Sequence, residues 1–259
     1  MTDLGQAVPV SICIITGNEE RNIAACLDSL GNIPDEVIVL DGGSQDRTVE
    51  IALSKGAVIY RHPFDGFGAQ KQRAVDLARN DWVFFLDADE RMTESLRGKL
   101  SDLLKSPDLL CQKAAYKVSR INYFGNRRID HGGWEEDHLI RFFNRKKTSF
   151  DGKIVHEEIR TPEQTGKIEG PLNHFPVSSI EEFIQKNLRY ARMKAETKKP
   201  ISPFSAIFLM IFSPPAVFLR MYLLRLGFLD GLEGFVLASL YGFFSFMKIL
   251  DRLVPGNER

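Results

Sequence analysis

The chain has 259 residues, 44% apolar and 26% charged, with 34 Lys and Arg against 34 Asp and Glu. That is long enough for one large α/β domain with an appendage, and the even balance gives no global field for nucleic acid or an acidic substrate. Cys13, Cys26 and Cys111 are odd in number, widely spaced and set in apolar surroundings, so they read as reduced core residues and not as a disulfide framework or zinc site.

The first six residues carry neither the charged nor the apolar region of a secretory signal, and a cytoplasmic location is expected. Val10–Ile15 is a short apolar run of strand type, and Asn18–Leu30 carries Ile23, Cys26, Leu27 and Leu30 at helical spacing. Glu36–Leu40 predicts a second strand ending at Asp41. Gly42-Gly43-Ser44 predicts a turn, and Asp46–Leu53 a helix with acids near its start. Ala57–Tyr60 reads as a third strand, Gly68–Arg79 as a helix and Trp82–Leu86 as a fourth strand. This alternation implies a parallel sheet with right-handed crossovers.

The fourth strand runs straight into Asp87-Ala88-Asp89-Glu90. Aspartates at i and i+2 past a buried strand can aim at one hard cation, and Mg²⁺ is held by one or two carboxylates plus substrate phosphates. Alone, those residues would also suit a solvated acidic turn. Thr16, Asn18 and Glu19 follow the first strand and Asp41 follows the second, so polar groups stand at three equivalent strand ends. In open α/β sheets the binding crevice lies at that edge.

Beyond residue 114, Ala115–Phe124 predicts a strand, Gly125–Arg128 a turn and Leu139–Phe143 another strand, with the polar and aromatic stretch His131–Asp137 between. Val155-His156-Glu157-Glu158 sets a histidine beside carboxylates. Ser178-Ser179-Ile180-Glu181 offers a capping box, followed by an apolar stripe of Ile180, Phe183, Ile184, Leu188 and Ala191. From Lys186 to Arg225 eight basic residues face a single acid, Glu196, and the block overlaps the most apolar part of the chain. Pro200–Leu219 is uncharged and long enough to span a bilayer, but Pro203 and Pro214-Pro215 argue against a regular spanning helix, and Gly234–Met247 is short for spanning. With Arg220, Arg225 and Lys248, these segments predict amphipathic helices lying in an anionic membrane interface. An apolar hairpin packed on the catalytic domain or on a second subunit is the competing arrangement. The expected division is a catalytic domain over 1–177 and a helical region over 178–259.

Val10–Asn18, Val39–Thr48 and Phe84–Glu90 together resemble glycosyltransferase family 2 enzymes of the GT-A fold. Gly66–Lys71, His131–Trp134 with Asp137 and Arg141–Phe143, Val155–Glu157 and Gly227–Gly231 are similar to the lipopolysaccharide inner-core β-1,4-glucosyltransferase group. The likeness runs over almost the whole chain. It implies a Rossmann-like, mostly parallel sheet with helices on both faces, plus a membrane-associating C-terminal segment. It also implies inverting, metal-dependent transfer of a hexose, glucose from UDP-glucose, to a lipid-linked saccharide at the cytoplasmic face of a bacterial inner membrane. Mg²⁺ or Mn²⁺ would be held by Asp87 and Asp89, with Asp87 also touching the nucleotide. Asp41 would meet uracil or ribose, with Thr16, Asn18 and Glu19 lining the same pocket.

Lys71 would meet the diphosphate, although the residue alone would also suit a solvated helix face. The base that takes the acceptor proton would be Asp137, with Glu135 and Glu136 leaving the assignment open within the triplet. His131, Trp134, Arg141, His156 and Glu157 would contact acceptor or diphosphate. The two histidines, far apart, lack a third zinc ligand. Two other readings compete. A sugar nucleotidyltransferase would need a Gly-rich phosphate loop, which Thr16-Gly17-Asn18-Glu19-Glu20 supplies poorly. An inactive membrane scaffold would not need carboxylates at 41, 87, 89 and 137.

Overall fold

The computed structural model describes residues 7–150, 159–161, 164–177, 179–196 and 201–253. They belong to two compact units: Met1–Arg120 with Asp137–His174, and Ile121–Glu136 with Phe175–Arg259. The loop that carries His131 and Trp134 thus belongs with the C-terminal helices.

In the first unit β1 (Val10–Thr16), α1 (Ile23–Asp28), β2 (Glu36–Asp41), α2 (Thr48–Ser54), β3 (Val58–Arg61), α3 (Phe67–Asp76) and β4 (Trp82–Asp87) follow one another. The strands lie parallel in the order β3-β2-β1-β4. Next come β5 (Glu90–Met92), α4 (Glu94–Leu104), α5 (Pro107–Leu110) and β6 (Ala115–Phe124). The end of β6 from Ile121 and β7 (Arg127–Ile129), which pairs with it, belong to the second unit, and the first is completed by β8 (Asp137–Asn144), β9 (Ser149–Phe150), β10 (Ile159–Arg160) and β11 (Gly166–His174). The sheet continues from β4 through β8, β6, β11 and β5, now with antiparallel pairs, while β9 and β10 pair separately. The expected α/β architecture with a C-terminal helical segment is borne out, and its parallel part is the β3-β2-β1-β4 half.

The apolar runs are continuous because both faces of the sheet are covered. Val10, Ile12 and Ile14 of β1 and Trp82, Phe84 and Leu86 of β4 join one core with Ile23 and Cys26 of α1 and Leu96 and Leu100 of α4. The alternate residues Cys13, Ile15, Val83 and Phe85 pack on Ala74 and Val75 of α3. Phe84, Phe85, Phe142 and Phe143 are fully buried, each worth about 1.5–3 kcal/mol on burial. The first helix is shorter than expected because residues 17–22 are used in a loop, and the second starts at Thr48, whose amide Asp46 accepts at 3.0 Å.

One irregularity matters for the site. Ala115 and Tyr116 of β6 face Phe143 and Phe142 of β8, but Lys117 faces Ile140, so Arg141 stands unopposed in a β-bulge. Ile140 therefore packs on the same face as Phe143. Bulges re-aim a side chain, and here the residue re-aimed is an arginine.

The second unit contains α6 (Ile180–Glu196), α7 (Pro203–Leu219) and α8 (Gly231–Leu253). Ser179 caps α6 by accepting the Glu182 amide at 3.1 Å, one residue on from the expected box. The expected break at Pro214-Pro215 is not found: α7 runs through both prolines and passes into a π-helical turn at Arg220–Leu224. Packing explains this. A Cβ on Gly242 of α8 would lie 3.1 Å from the Pro214 carbonyl oxygen, and Ser213 and Ser245 share a hydrogen bond of 2.8 Å, so α8 braces α7 where its own ladder loses two amides. The second apolar run is also longer than expected. Both Pro203–Leu224 and Gly227–Leu253 are long and apolar enough to cross a membrane, by length and composition alone.

Candidate active site

Parallel register brings the ends of three neighbouring strands level: Thr16 lies beside Asp41, and Ile15 beside Asp87. The loops after β1 and β2 are tied together. The Asn18 amide donates to Ser44 Oγ (2.9 Å), the Gln45 amide to Asn18 Oδ1 (2.8 Å), and the Glu19 amide to Thr48 Oγ1 (2.7 Å). Gly42 donates to the Thr16 carbonyl at 2.8 Å, and a Cβ there would come within 3.2 Å of that oxygen, so a larger residue crowds the junction. Asn18 takes the left-handed conformation (φ 58°), which asparagine tolerates better than most residues. Asp41 is buried, and its carboxylate accepts the Gly43 and Ser44 amides at 3.1 Å, shaping its own turn. Glu19 accepts from Asn22 Nδ2 at 2.7 Å. Thr16 Oγ1 is buried and, among the described residues, has no hydrogen-bond partner.

At the end of β4 a chain of alternating charges begins. Asp87 lies between Lys71 Nζ (3.1 Å) and Arg141 NH2 (2.7 Å). Burial would push its carboxyl up, but Lys71 and Arg141 outweigh that and hold it far below the usual carboxylate range. Lys71 is buried, with its ammonium 5.0 Å from the Phe85 ring centre, which rules out the solvated helix face. Arg141 also reaches Glu90 Oε1, which Arg120 NH1 approaches at 3.4 Å. Arg120 in turn grips Asp137 with two bonds, Nε to Oδ1 at 3.1 Å and NH2 to Oδ2 at 2.7 Å. The sequence Lys71–Asp87–Arg141–Glu90–Arg120–Asp137 alternates three cations with three carboxylates. Asp89, next to it in the chain, is buried with His174 Nε2 at 3.5 Å from its Oδ2.

In the second unit, His131 Nδ1 meets Asp230 Oδ1 at 3.1 Å, and Asp230 also accepts the amides of Asp130 and His131. Gly132 donates to the Arg225 carbonyl at 2.9 Å. His131-Gly132-Gly133 and Gly227–Gly231 therefore form a clasp. Trp134 is buried among Phe124 and Phe183, a packing position. Glu135 accepts the Gly133 amide and is exposed, as is Glu136. His156 and Glu157 lie outside the described residues.

The family model of glycosyl transferase family 2 matches residues 11–162, which contain every strand-end residue above. The chain belongs to glycosyl transferase family 2. The resemblance seen in the sequence is borne out, and the protein is a glycosyltransferase. It is 31% identical to the lipopolysaccharide core biosynthesis glycosyltransferase LpsC of Rhizobium meliloti, over 95% of this chain and 93% of that protein. An uncharacterized glycosyltransferase of Rickettsia typhi is 30% identical, over 93% of this chain and 85% of its own. Among solved structures, glucosyl-3-phosphoglycerate synthase of Mycobacterium tuberculosis aligns with 46% of this chain and 45% of its own, at 26% identity and a TM-score of 0.36.

For a glycosyltransferase of this family the question of a divalent cation turns on the donor set. Among the described residues no three His, Cys, Asp or Glu converge on one point. The carboxylates at the end of β4, Asp87 and Asp89, are the residues that would hold such an ion, which takes most of its remaining oxygens from a diphosphate. Asp89 fits that role. Asp87 has each oxygen engaged by a cation.

Sequence reasoning assigned no role to Glu90 and Arg120. Glu90 was visible as a third carboxylate after β4, and Arg120 as a charge inside an otherwise strand-like run. Their meeting depends on sheet order, which puts β6 beside β8 and β8 beside β4.

Proposed function

We propose that this glycosyltransferase moves a hexose, glucose from UDP-glucose, onto a lipid-linked saccharide such as the lipopolysaccharide inner core, with inversion. The observation that carries the reading is the convergence on one sheet edge of Thr16, Asp41, Asp87 and Asp89, with Lys71 and Arg141 buried against them. Likeness to LpsC along almost its full length supports the choice of acceptor. The uracil and ribose would lie at the strand ends beside the tied loops, near Asp41, Thr16, Asn18 and Glu19. Lys71 and Arg141 set positive charge beside the diphosphate. When bound, Mg²⁺ or Mn²⁺ at Asp89 would supply Lewis-acid stabilisation of leaving-group charge. The acceptor hydroxyl oxygen bonds to the anomeric carbon as the carbon–diphosphate bond breaks. UDP departs with the electron pair, and Asp137 takes the hydroxyl proton.

Membrane association is part of the proposal. Phe204, Phe208, Ile211 and Phe212 of α7, Leu224 beyond it and Leu232 of α8 are all exposed. The first apolar segment is far less buried than the second. The turn joining the helices is clasped to the 130–133 loop, and α8 packs against both α6 and α7. That arrangement suits a helix pair lying in the plane of the cytoplasmic leaflet.

A screen of UDP-, GDP-, dTDP- and ADP-sugars with Mg²⁺ or Mn²⁺, scored by release of nucleoside diphosphate, tests the donor. Asp89→Asn tests the cation: loss of an electrostatic clamp costs about 10²–10³ in rate. Undiminished transfer in excess EDTA, or by the Asn variant, would sink the metal assignment.

A further inference from the structure

Glu90 has no role in the mechanism above, yet it is 0% exposed. A carboxylate shut off from water keeps its charge only where cations and N–H groups compensate it. Here its Oε2 accepts the Asp87 backbone amide at 3.1 Å, and its Oε1 takes Arg141 NH2 and, at 3.4 Å, Arg120 NH1. Each arginine carries a second carboxylate, Asp87 for Arg141 and Asp137 for Arg120. Cys26 of α1 is close enough to feel the same charge, and burial first, then Glu90, pushes its thiol well up, so it stays neutral. Among the described residues the cations bonded to Glu90 are those two arginines, one leading to Asp87 and the other to Asp137.

We propose that Glu90 is a positioning residue that sets Asp87 and Asp137 in one fixed relation by sharing its charge between Arg141 and Arg120. The inference rests on the glycosyl-transfer reading and deepens it. Glu90 meets the same guanidinium that holds Asp137 through Nε and NH2, so Arg120 is shared between the two carboxylates. Without Glu90, Arg120 belongs to Asp137 alone, stabilises its anion and weakens it as a proton acceptor.

The test compares Glu90→Gln and Glu90→Asp in the full chain, measuring UDP binding, turnover from UDP-glucose to inner-core lipopolysaccharide, and the pH profile of kcat/KM. Glu90→Gln should lower kcat about a hundredfold, within the range for misplaced acid–base groups, and move the acid limb about one unit to lower pH. Glu90→Asp, which keeps the charge, should recover much of the rate with the limb unmoved. A residue needed only for folding would lower the active fraction and leave the limb where it was, and that result overturns the proposal. So does wild-type turnover in Glu90→Gln. If Glu90→Gln does not fold, Arg120→Gln decides. It leaves the Glu90–Arg141–Asp87 contacts intact, and should raise the acid limb while UDP affinity stays within about twofold. An unchanged profile there also overturns the positioning role. Wild-type protein inert towards every donor overturns the transfer reading itself, which is a different result from an active wild type matched by its variants.

Discussion

Lys71→Met separates the structural and catalytic uses of one of the two buried cations beside Asp87. The ammonium is 3.1 Å from Asp87 Oδ1 and 6% of the residue is exposed. At that distance and an effective dielectric of about 20, the gross attraction is about 5 kcal/mol. Most of it is offset by the cost of taking the ammonium out of water, which methionine avoids. Arg141 still holds Asp87 at 2.7 Å, so the variant escapes the full penalty of an orphaned buried charge. We expect a net loss of about 1–2 kcal/mol in stability, seen as a Tm lowered by about 3–6 °C. Catalysis should suffer more, because charge develops on the diphosphate only as the bond breaks, with a loss of about 10²–10³ in kcat. The assay is single-turnover UDP release at saturating donor, normalised to folded protein, alongside a thermal melt. A kcat within about threefold of wild type, with Tm lowered as expected, would refute the catalytic role. Lys71 would then serve only to pack Asp87.

Asp137→Asn should leave UDP affinity unchanged and lower turnover, with Glu135→Gln and Glu136→Gln near wild type; a dead Glu variant beside an active Asn variant moves the base within the triplet. Glu36 gives a pH prediction far from the chemistry. Burial alone would raise its carboxyl, but the Ser11 hydroxyl and the Arg79 amide and guanidinium bring it below the usual range. Its contribution is therefore present above the unfolded value of about 4.3 and lost as pH falls through the lower folded value. Glu36→Gln should cost about 1–2 kcal/mol at pH 7 and flatten the acid side of the stability curve, and an unchanged curve would contradict this. Full-length protein should sediment with anionic liposomes at low salt, and Phe208→Glu with Phe212→Glu should weaken that. A concentration-dependent dimer with no liposome binding would assign the apolar face to a second copy instead.

Much of the catalytic unit was legible because its strands are buried on both faces. Val10–Ile15 and Trp82–Leu86 are almost uniformly apolar for that reason, and the polar residues that follow them mark strand ends without ambiguity. What those polar residues do was less legible. Asp41 turns its carboxylate to its own Gly43 and Ser44 amides, a local preference that competes with ligand binding and leaves no separate signature. Arg141 reaches Asp87 and Glu90 from a bulge, and a bulge is a property of strand pairing that composition along one strand does not encode. The two prolines of α7 misled for a related reason. Their cost is local, but the bracing by Gly242 and Ser245 comes from a helix about thirty residues away in the chain.

The hydrogen bonds that join the loops after β1 and β2 have a thermodynamic consequence. Asn18, Ser44, Gln45, Glu19 and Thr48 hold one another through direct hydrogen bonds. Were the nucleotide to bind there as proposed, ordering such a rim in advance would remove an entropic penalty from its capture, since the freedom has already been surrendered on folding. Selectivity would then depend on the fixed outline of that rim more than on closure around the guest. A base of the wrong size would meet a barrier the loops cannot relax, and a mutation loosening one loop should broaden the range of accepted nucleotides while weakening each.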